Sequence, residues 1–325
     1  MSELLVLATS TGGVGAHVRS LARATGATVA CPASTQAVFG FARHVPLEIG
    51  SRPGPTDLRT IARLRQLAAA HELVHAHGLR AGALSAAAGV HPLVVTWHNA
   101  VSGRAGRLLE RLTARRADVA LAASPDLADA ARRAGAHDVR LAPVAAPMLF
   151  PTGVDPGLGH PLVLAVGRLH PQKGYDVLLD ALPMLGDAVV AVAGDGPLAS
   201  RLRTAAPGVR WLGRRDDVAD LLAAADVVVL PSRWEARSLT AQEALLAGRP
   251  LVCTAVGGLP ELVQDGALLV PPDDAPALGR AVRSLLDDPR AVAELVKRGR
   301  VVAAGWPDEA ETVAQVQAVY RELLA

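Results

Sequence analysis

Short apolar runs bounded by turn residues alternate along this chain with longer stretches of helical periodicity, and the alternation starts twice. Repeated strand–helix units of this kind point to parallel sheets covered by helices. In the first half the pattern predicts strands at Leu4–Ala8, Thr28–Cys31, Leu73–Ala76, Leu93–Thr96 and Val119–Ala122. The stretch Ala142–His160 then gathers Pro143, Pro147, Pro151 and Pro156 with Gly153, Gly157 and Gly159, which defeats helix and strand alike and reads as a linker. Beyond it strands are predicted at Leu162–Val166, Val189–Ala193, Val209–Leu212, Val227–Leu230, Leu251–Thr254 and Ala267–Val270. Helical patterns separate them at Tyr175–Leu182, Val218–Ala225, Ala241–Leu246 and Ala275–Leu286, and a last amphipathic helix is expected over Asp308–Leu324. The expectation is an α/β chain with domains at 1–150 and 151–307 and a terminal helix at 308–325. Two doubly wound halves imply ligands at the carboxyl ends of their strands, in a cleft.

Half of the residues are hydrophobic but only 3% are aromatic, so the cores must be built from Ala, Val and Leu. A formal net charge of +2 is too small for a general nucleic-acid binder, whose affinity rests on many phosphate contacts. Cys31 and Cys253 are too few and too far apart for a disulfide framework or a metal-binding spacing, and are expected as reduced thiols. The N-terminus carries no basic region and its apolar stretch is too short for a signal peptide, while the uncharged run Ala81–Thr96 is interrupted by Gly89 and Pro92. A soluble, cytoplasmic protein is expected.

Three segments carry chemistry. The loop Thr9-Ser-Thr-Gly-Gly-Val-Gly15 lies between a strand and a helix, where free backbone N–H groups can hold an anion; a tight turn without a ligand is the alternative. A nicotinamide-binding fingerprint fits poorly, because its third glycine would fall at Val18 and no acid closes the next strand at Cys31. Arg168 and Lys173 follow the first strand of the second half, where two cations can hold a diphosphate or simply form a solvated basic loop. Lys173 and Lys297 are the only lysines in a chain that otherwise uses arginine, and a lysine there suits a compact point charge. The third segment runs from Pro231 to Gly248, with Glu235 in a loop and Glu243 in the first turns of a helix. Thr240-Ala-Gln-Glu243 also reads as a capping box, which would give Glu243 a purely structural task.

Taken together, Gly12-Gly-Val-Gly15, Val166-Gly-Arg168 with Lys173-Gly174, Gly194-Asp-Gly-Pro197, Glu235 with Glu243, Ala247-Gly-Arg-Pro250, Gly257-Gly-Leu-Pro-Glu261 and Leu269-Val-Pro-Pro272 resemble the retaining glycosyltransferases of the GT-B fold, family 4. The resemblance spans nearly the whole chain. It implies an acceptor-side first domain, a second domain that binds a nucleotide-diphosphate sugar, and a last helix that crosses back onto the first domain. By the same resemblance Gly13 approaches the donor phosphates, Arg168 and Lys173 hold the diphosphate, Glu243 binds the ribose hydroxyls and Glu235 faces the transferred sugar. The segment Ser238, Leu239 and Thr240 would open a helix toward the same phosphates. His98, in Thr96-Trp-His-Asn99, matches a histidine on the acceptor side. His75 and His77 end the preceding strand and, taken alone, read as polar loop residues; no third ligand at zinc spacing accompanies them. Relatives commonly carry Phe-Gly where this chain has Arg237-Ser238, which places a charge beside the sugar pocket and removes a glycine's freedom.

The implied activity is sugar transfer with retention, without a metal or other cofactor, from a nucleotide-sugar donor to an acceptor that the residues do not specify, and without a nucleic-acid partner. A nucleotide-sugar epimerase and a non-catalytic sugar-nucleotide-binding protein are the alternatives. Between Ser102 and Ala117 the chain carries Arg104, Arg107, Arg111, Arg115 and Arg116 against Glu110, with Leu108, Leu109 and Leu112. This is either a solvated helix whose leucines face the sheet or a basic amphipathic helix that lies on an anionic membrane and brings a membrane-borne acceptor within reach.

Overall fold

Runs of Val, Leu and Ala suit parallel strands, because helices on both faces take every side chain out of water. The computed structural model describes residues 2–50, 53–101 and 103–325 and arranges these runs in two sheets. The first holds β1 (Glu3–Leu7), β2 (Thr28–Cys31), β3 (His44–Pro46), β4 (Leu73–His77), β5 (Leu93–Trp97), β6 (Val119–Ala122) and β7 (Val139–Leu141), in the order β3-β2-β1-β4-β5-β6-β7. The second holds β8 (Leu162–Val166), β9 (Val189–Ala193), β10 (Arg210–Gly213), β11 (Val227–Leu230), β12 (Leu251–Thr254) and β13 (Leu268–Val270), in the order β10-β9-β8-β11-β12-β13. All of these pairings are parallel.

Both sheets share one topological device. The chain walks outward from β1 to β3 and returns to the other side of β1 at β4; it repeats this from β8 to β10 and returns at β11. Loops leaving the two central strands of such a reversal diverge and open a crevice at their carboxyl ends. In the first sheet these are the loops after β1 and β4, and in the second the loops after β8 and β11.

The chain groups into two compact units, Met1–Ala145 with Pro307–Ala325, and Ala146–Trp306. In the first, the helix Glu309–Leu324 is started by a capping box between Asp308 and Glu311. It buries Val313, Val316, Val319 and Tyr320, one helical face, against Leu5, Leu7, Val18 and Leu21. In the second, alternate residues of β8 serve opposite faces: Val163 and Ala165 join one apolar cluster, Leu162 and Leu164 the other. The segment 142–159 has neither helix nor strand.

Most of the predicted strands stand within a residue of their expected bounds. β3 and β7 escape the sequence pattern because each is three residues long and only partly buried, so neither carries an apolar run. The basic stretch forms the helix Gly103–Arg116; Ser102 lies outside the described residues. Its buried residues are Thr113 and Ala114, whereas Leu108 is 69% and Leu112 37% exposed, so these two leucines do not face the sheet. Arg104, Arg107, Arg111, Arg115 and Arg116 are all exposed and make no ion pair among the described residues. Among the described residues no helix is long and apolar enough to cross a membrane.

Candidate functional site

In the second unit the loops after β8 and β11 are stitched into one surface. The backbone N–H of Arg233 donates to the Gln172 carbonyl at 2.7 Å, and Gln172 Nε2 donates to the Trp234 carbonyl at 2.9 Å. The Arg233 guanidinium donates to the Pro171 carbonyl and pairs with Asp176 and Asp273, holding the Asp176 carboxyl below its ordinary range. Gly174 makes this approach possible. Its φ of 62° is left-handed, and a Cβ there would sit 2.0 Å from the Pro231 carbonyl oxygen. On the other side Gly257, at φ 52°, would drive a Cβ to 1.9 Å from the Glu235 carbonyl oxygen.

Within this frame Lys173 Nζ lies 2.6 Å from Glu235 Oε1, and the Ser232 hydroxyl donates to the same oxygen at 2.6 Å. Glu235 is thus a nearly buried carboxylate with one oxygen doubly engaged. Its Oε2 has no partner among the described residues, and Lys173 keeps two of its three N–H donors. Arg168, by contrast, is exposed and makes no ion pair among the described residues. Its charge is felt at His170, whose pKa is lowered first by burial and then by Arg168.

The helix after this loop is Leu239–Leu246, and its cap is Ser238, whose hydroxyl accepts from the Ala241 N–H at 3.4 Å. The expected capping box is therefore absent. Thr240 sits inside the first turn, where its hydroxyl donates to the Val166 carbonyl at 3.4 Å, and Glu243 is left without a capping task. Burial pushes the Glu243 carboxyl up to about 7, opposed by the charge of Lys173. Ser238 has φ −64°, which any residue adopts, so replacing a glycine here costs no strain. Arg237 turns its guanidinium over the Trp306 ring, 5.9 Å from the centroid, where burial lowers its pKa.

In the first unit Gly13 is exposed and is the first residue of the helix Gly13–Thr25, which has no acid in its first turn. That helix contributes His17, which sequence reasoning missed although it follows Gly13 by one helical turn. His17, His75, His77 and His98 form one buried cluster. His75 and His77 are strand residues of β4, not loop residues: His75 falls inside the expected strand, and His77 joins it because β4 runs one residue longer than its apolar pattern. Burial lowers the pKa of all four, to about 4 for His17 and about 3 for His75. Among the described residues no three His, Cys, Asp or Glu side chains are disposed to hold a metal ion. Arg168, Lys173, Glu235, Ser238, Leu239, Thr240 and Glu243 thus belong to the second unit, and Gly13 and His98 to the first.

Two family models divide the chain between them. Residues 12–147 match the glycosyl transferase 4-like domain, and residues 160–288 match glycosyl transferases group 1. The chain belongs to the group 1 glycosyltransferases. Among curated members, the alpha-D-kanosaminyltransferase of Streptomyces kanamyceticus is 30% identical over 178 residues, covering 50% of this chain and 46% of that protein. The glycogen synthase of Mycobacterium tuberculosis is 35% identical over 178 residues, covering 50% and 43%. The chain thus spans about half the length of the curated relatives it matches, or less. Among solved structures, Anabaena Alr3699/HepE in complex with UDP-glucose superposes with a TM-score of 0.87 at 22% identity, covering 99% of this chain and 100% of that one. The two doubly wound units are those of the GT-B fold.

Proposed function

We propose that this group 1 glycosyltransferase moves the sugar of a nucleotide-diphosphate donor onto an acceptor hydroxyl, with its donor site in the second unit. One observation carries the proposal: at the sheet's reversal point, Lys173 bonded to the buried Glu235 lies in the same loop as the exposed Arg168, which has no ion pair among the described residues. Arg168 and the two remaining donors of Lys173 suit a diphosphate, and the free Oε2 of Glu235 suits a sugar hydroxyl. Glu243, half-buried beyond Ser238, suits the ribose hydroxyls. One relative is named a kanosaminyltransferase and another a glycogen synthase, and the solved neighbour holds UDP-glucose, which supports this class of donor.

In the step we infer, the bond between the anomeric carbon and the diphosphate oxygen breaks, and its electron pair leaves with the diphosphate. The acceptor oxygen bonds to that carbon, and its proton passes to a departing phosphate oxygen. Arg168, Lys173 and the N-terminus of the helix Leu239–Leu246 stabilise the growing negative charge, a preorganised electrostatic role that dispenses with a metal. Retention of configuration is inferred from the family resemblance. The family resemblance implies that Gly13 approaches the donor phosphates and that His98 lines the acceptor side.

We further infer an acceptor held at an anionic membrane. The exposed Leu108 and Leu112 share a face with Arg104, Arg107, Arg111 and Arg115, the spacing of a helix that lies on headgroups. The overall proposal is tested by incubating the full chain with UDP-, GDP- and ADP-sugars in EDTA and reading release of the nucleoside diphosphate by slow hydrolysis, with water standing in for the acceptor. Release from one donor is expected, whereas release restored only by Mg²⁺ or Mn²⁺ contradicts the metal-free step.

A further inference from the structure

Of the four imidazoles buried in the first unit, the proposed transfer employs His98 alone. The others form a chain that ends on it. His75 is fixed at both nitrogens: Nδ1 lies 2.6 Å from the Tyr320 hydroxyl and Nε2 2.6 Å from the Thr96 hydroxyl. The His77 ring packs on it with centroids 4.0 Å apart, and His77 Nδ1 lies 3.2 Å from His98 Nε2. His17 stands edge-on to both His77 and His98, with centroids 5.6 Å away in each case.

Burial keeps these rings neutral near pH 7, and two neutral imidazoles can share one N···N hydrogen bond in only two ways. If His98 donates from Nε2, then His77 accepts at Nδ1 and carries its own proton on Nε2. If His77 donates from Nδ1, its Nε2 is an unprotonated acceptor. The structure separates the two, because His77 Nε2 is fully buried and has no hydrogen-bond partner among the described residues. An enclosed N–H without an acceptor is the rarer and costlier defect, so the second arrangement prevails. The hydrogen bond at one ring nitrogen then decides what the other offers.

We propose that His77 is a positioning residue: it donates from Nδ1–H to His98 Nε2 and fixes His98 as the Nδ1–H tautomer. His98 Nδ1 has no partner among the described residues and is not an enclosed atom. His98 therefore presents a ligand with a hydrogen-bond donor and not with a base, and the acceptor's proton goes elsewhere, as the phosphate-assisted step requires. This rests on the proposed role of His98 as a ligand contact. Thr96, Tyr320 and His75 hold His77 in register for it.

The test is a long-range proton–nitrogen correlation spectrum of the full chain labelled with ¹⁵N-histidine, with the His98→Gln variant identifying the His98 signals. Protonation of both His77 and His98 at Nδ1 is expected; protonation of His98 at Nε2 overturns the proposal. Two variants add a functional readout. His77→Asn keeps an N–H where Nδ1 was, while His77→Phe keeps the ring and loses the donor. Turnover should fall about tenfold in His77→Phe, the cost of one hydrogen bond, and recover toward wild type in His77→Asn. Equal losses in both variants speak against a donor role. The spectrum needs no substrate, so a wrong tautomer sinks this proposal, whereas a wild-type chain that transfers nothing sinks the proposed function instead.

Discussion

Lys173 and Arg168 look alike in the sequence, but the structure gives them different surroundings and hence different mutational signatures. Removing Lys173 leaves the nearly buried Glu235 with only the Ser232 hydroxyl, so Lys173→Ala should cost on the order of 1–3 kcal/mol of stability as well as lowering turnover about 10²–10³-fold. Arg168→Ala should lower turnover comparably and leave the melting temperature unchanged, because Arg168 is exposed and has no ion pair among the described residues. Equal melting temperatures for the two variants would speak against a stabilising Lys173–Glu235 pair. Glu243 supplies a pH signature. With its carboxyl raised from 4.5 to about 7, it is half-ionised near neutrality, and a ribose hydroxyl donates best to the ionised form. Donor affinity should therefore rise between pH 6 and pH 8, measured by calorimetric titration, and Glu243→Gln should bind more weakly and lose that dependence. An unchanged pH profile in the variant removes the ribose assignment. Glu235, Glu243, Arg168 and Lys173 were singled out in the sequence by residue type and by the family resemblance, and the structure places all four in the second unit. The clamp formed by Gln172 and Arg233 was not legible in the sequence, since its contacts join loops about sixty residues apart and leave no periodic trace.

At the scale of single elements, the helix Gly103–Arg116 is the least conventional. Its five arginines face one acid, Glu110, in a chain whose formal net charge is only +2, so the remaining residues are net acidic. Arginines elsewhere, such as Arg80, Arg140, Arg233 and Arg283, find carboxylates, and among the described residues these five do not. The full chain is expected to sediment with vesicles containing anionic phospholipid but not with neutral ones. Binding should weaken as salt shortens the Debye length, and in the variant with Arg104, Arg107 and Arg111 all changed to Gln. Leu108→Ala should weaken it too, because an exposed leucine contributes only if it enters the lipid boundary. Protein that stays in the supernatant at low salt contradicts a membrane-borne acceptor. Strand positions were legible because apolar runs of four or five residues bounded by turns have few other uses. The start of the helix Leu239–Leu246 was misplaced because Thr240 and Glu243 have capping-box spacing while Ser238, two residues earlier, takes the cap.

Across the whole molecule the buried histidines of the first unit and Glu243 of the second respond to acid in opposite directions. The first holds four histidines whose folded pKa values lie below the ordinary 6.5, so the stability they give is present above 6.5 and is lost as pH falls toward 4 and 3. Glu243 in the second has a raised pKa, so its contribution is full below 4.5 and is lost as pH rises through 7. Hydrogen exchange at pH 7 and pH 5 should show peptides of β4 and of Val313–Tyr320 losing protection before those of β8 and β11. Simultaneous loss in both units would mean that the histidine cluster does not govern acid stability. The duplicated strand–helix pattern made the doubly wound architecture readable, whereas the histidine cluster was not, because its members come from one strand, a loop and a helix far apart in sequence.

The central claim is that the second unit binds a nucleotide-sugar, and the most direct measurement is the melting temperature of the full chain and of Arg168→Ala in the presence of UDP-, GDP- and ADP-sugars. A ligand that binds only the folded state adds about 2.7 kcal/mol at a hundredfold excess over Kd. One donor should therefore raise the wild-type midpoint by several degrees and raise that of Arg168→Ala by much less, with the two unliganded proteins melting together. No shift with any of the three donors, or an equal shift in wild type and Arg168→Ala, would contradict the assignment.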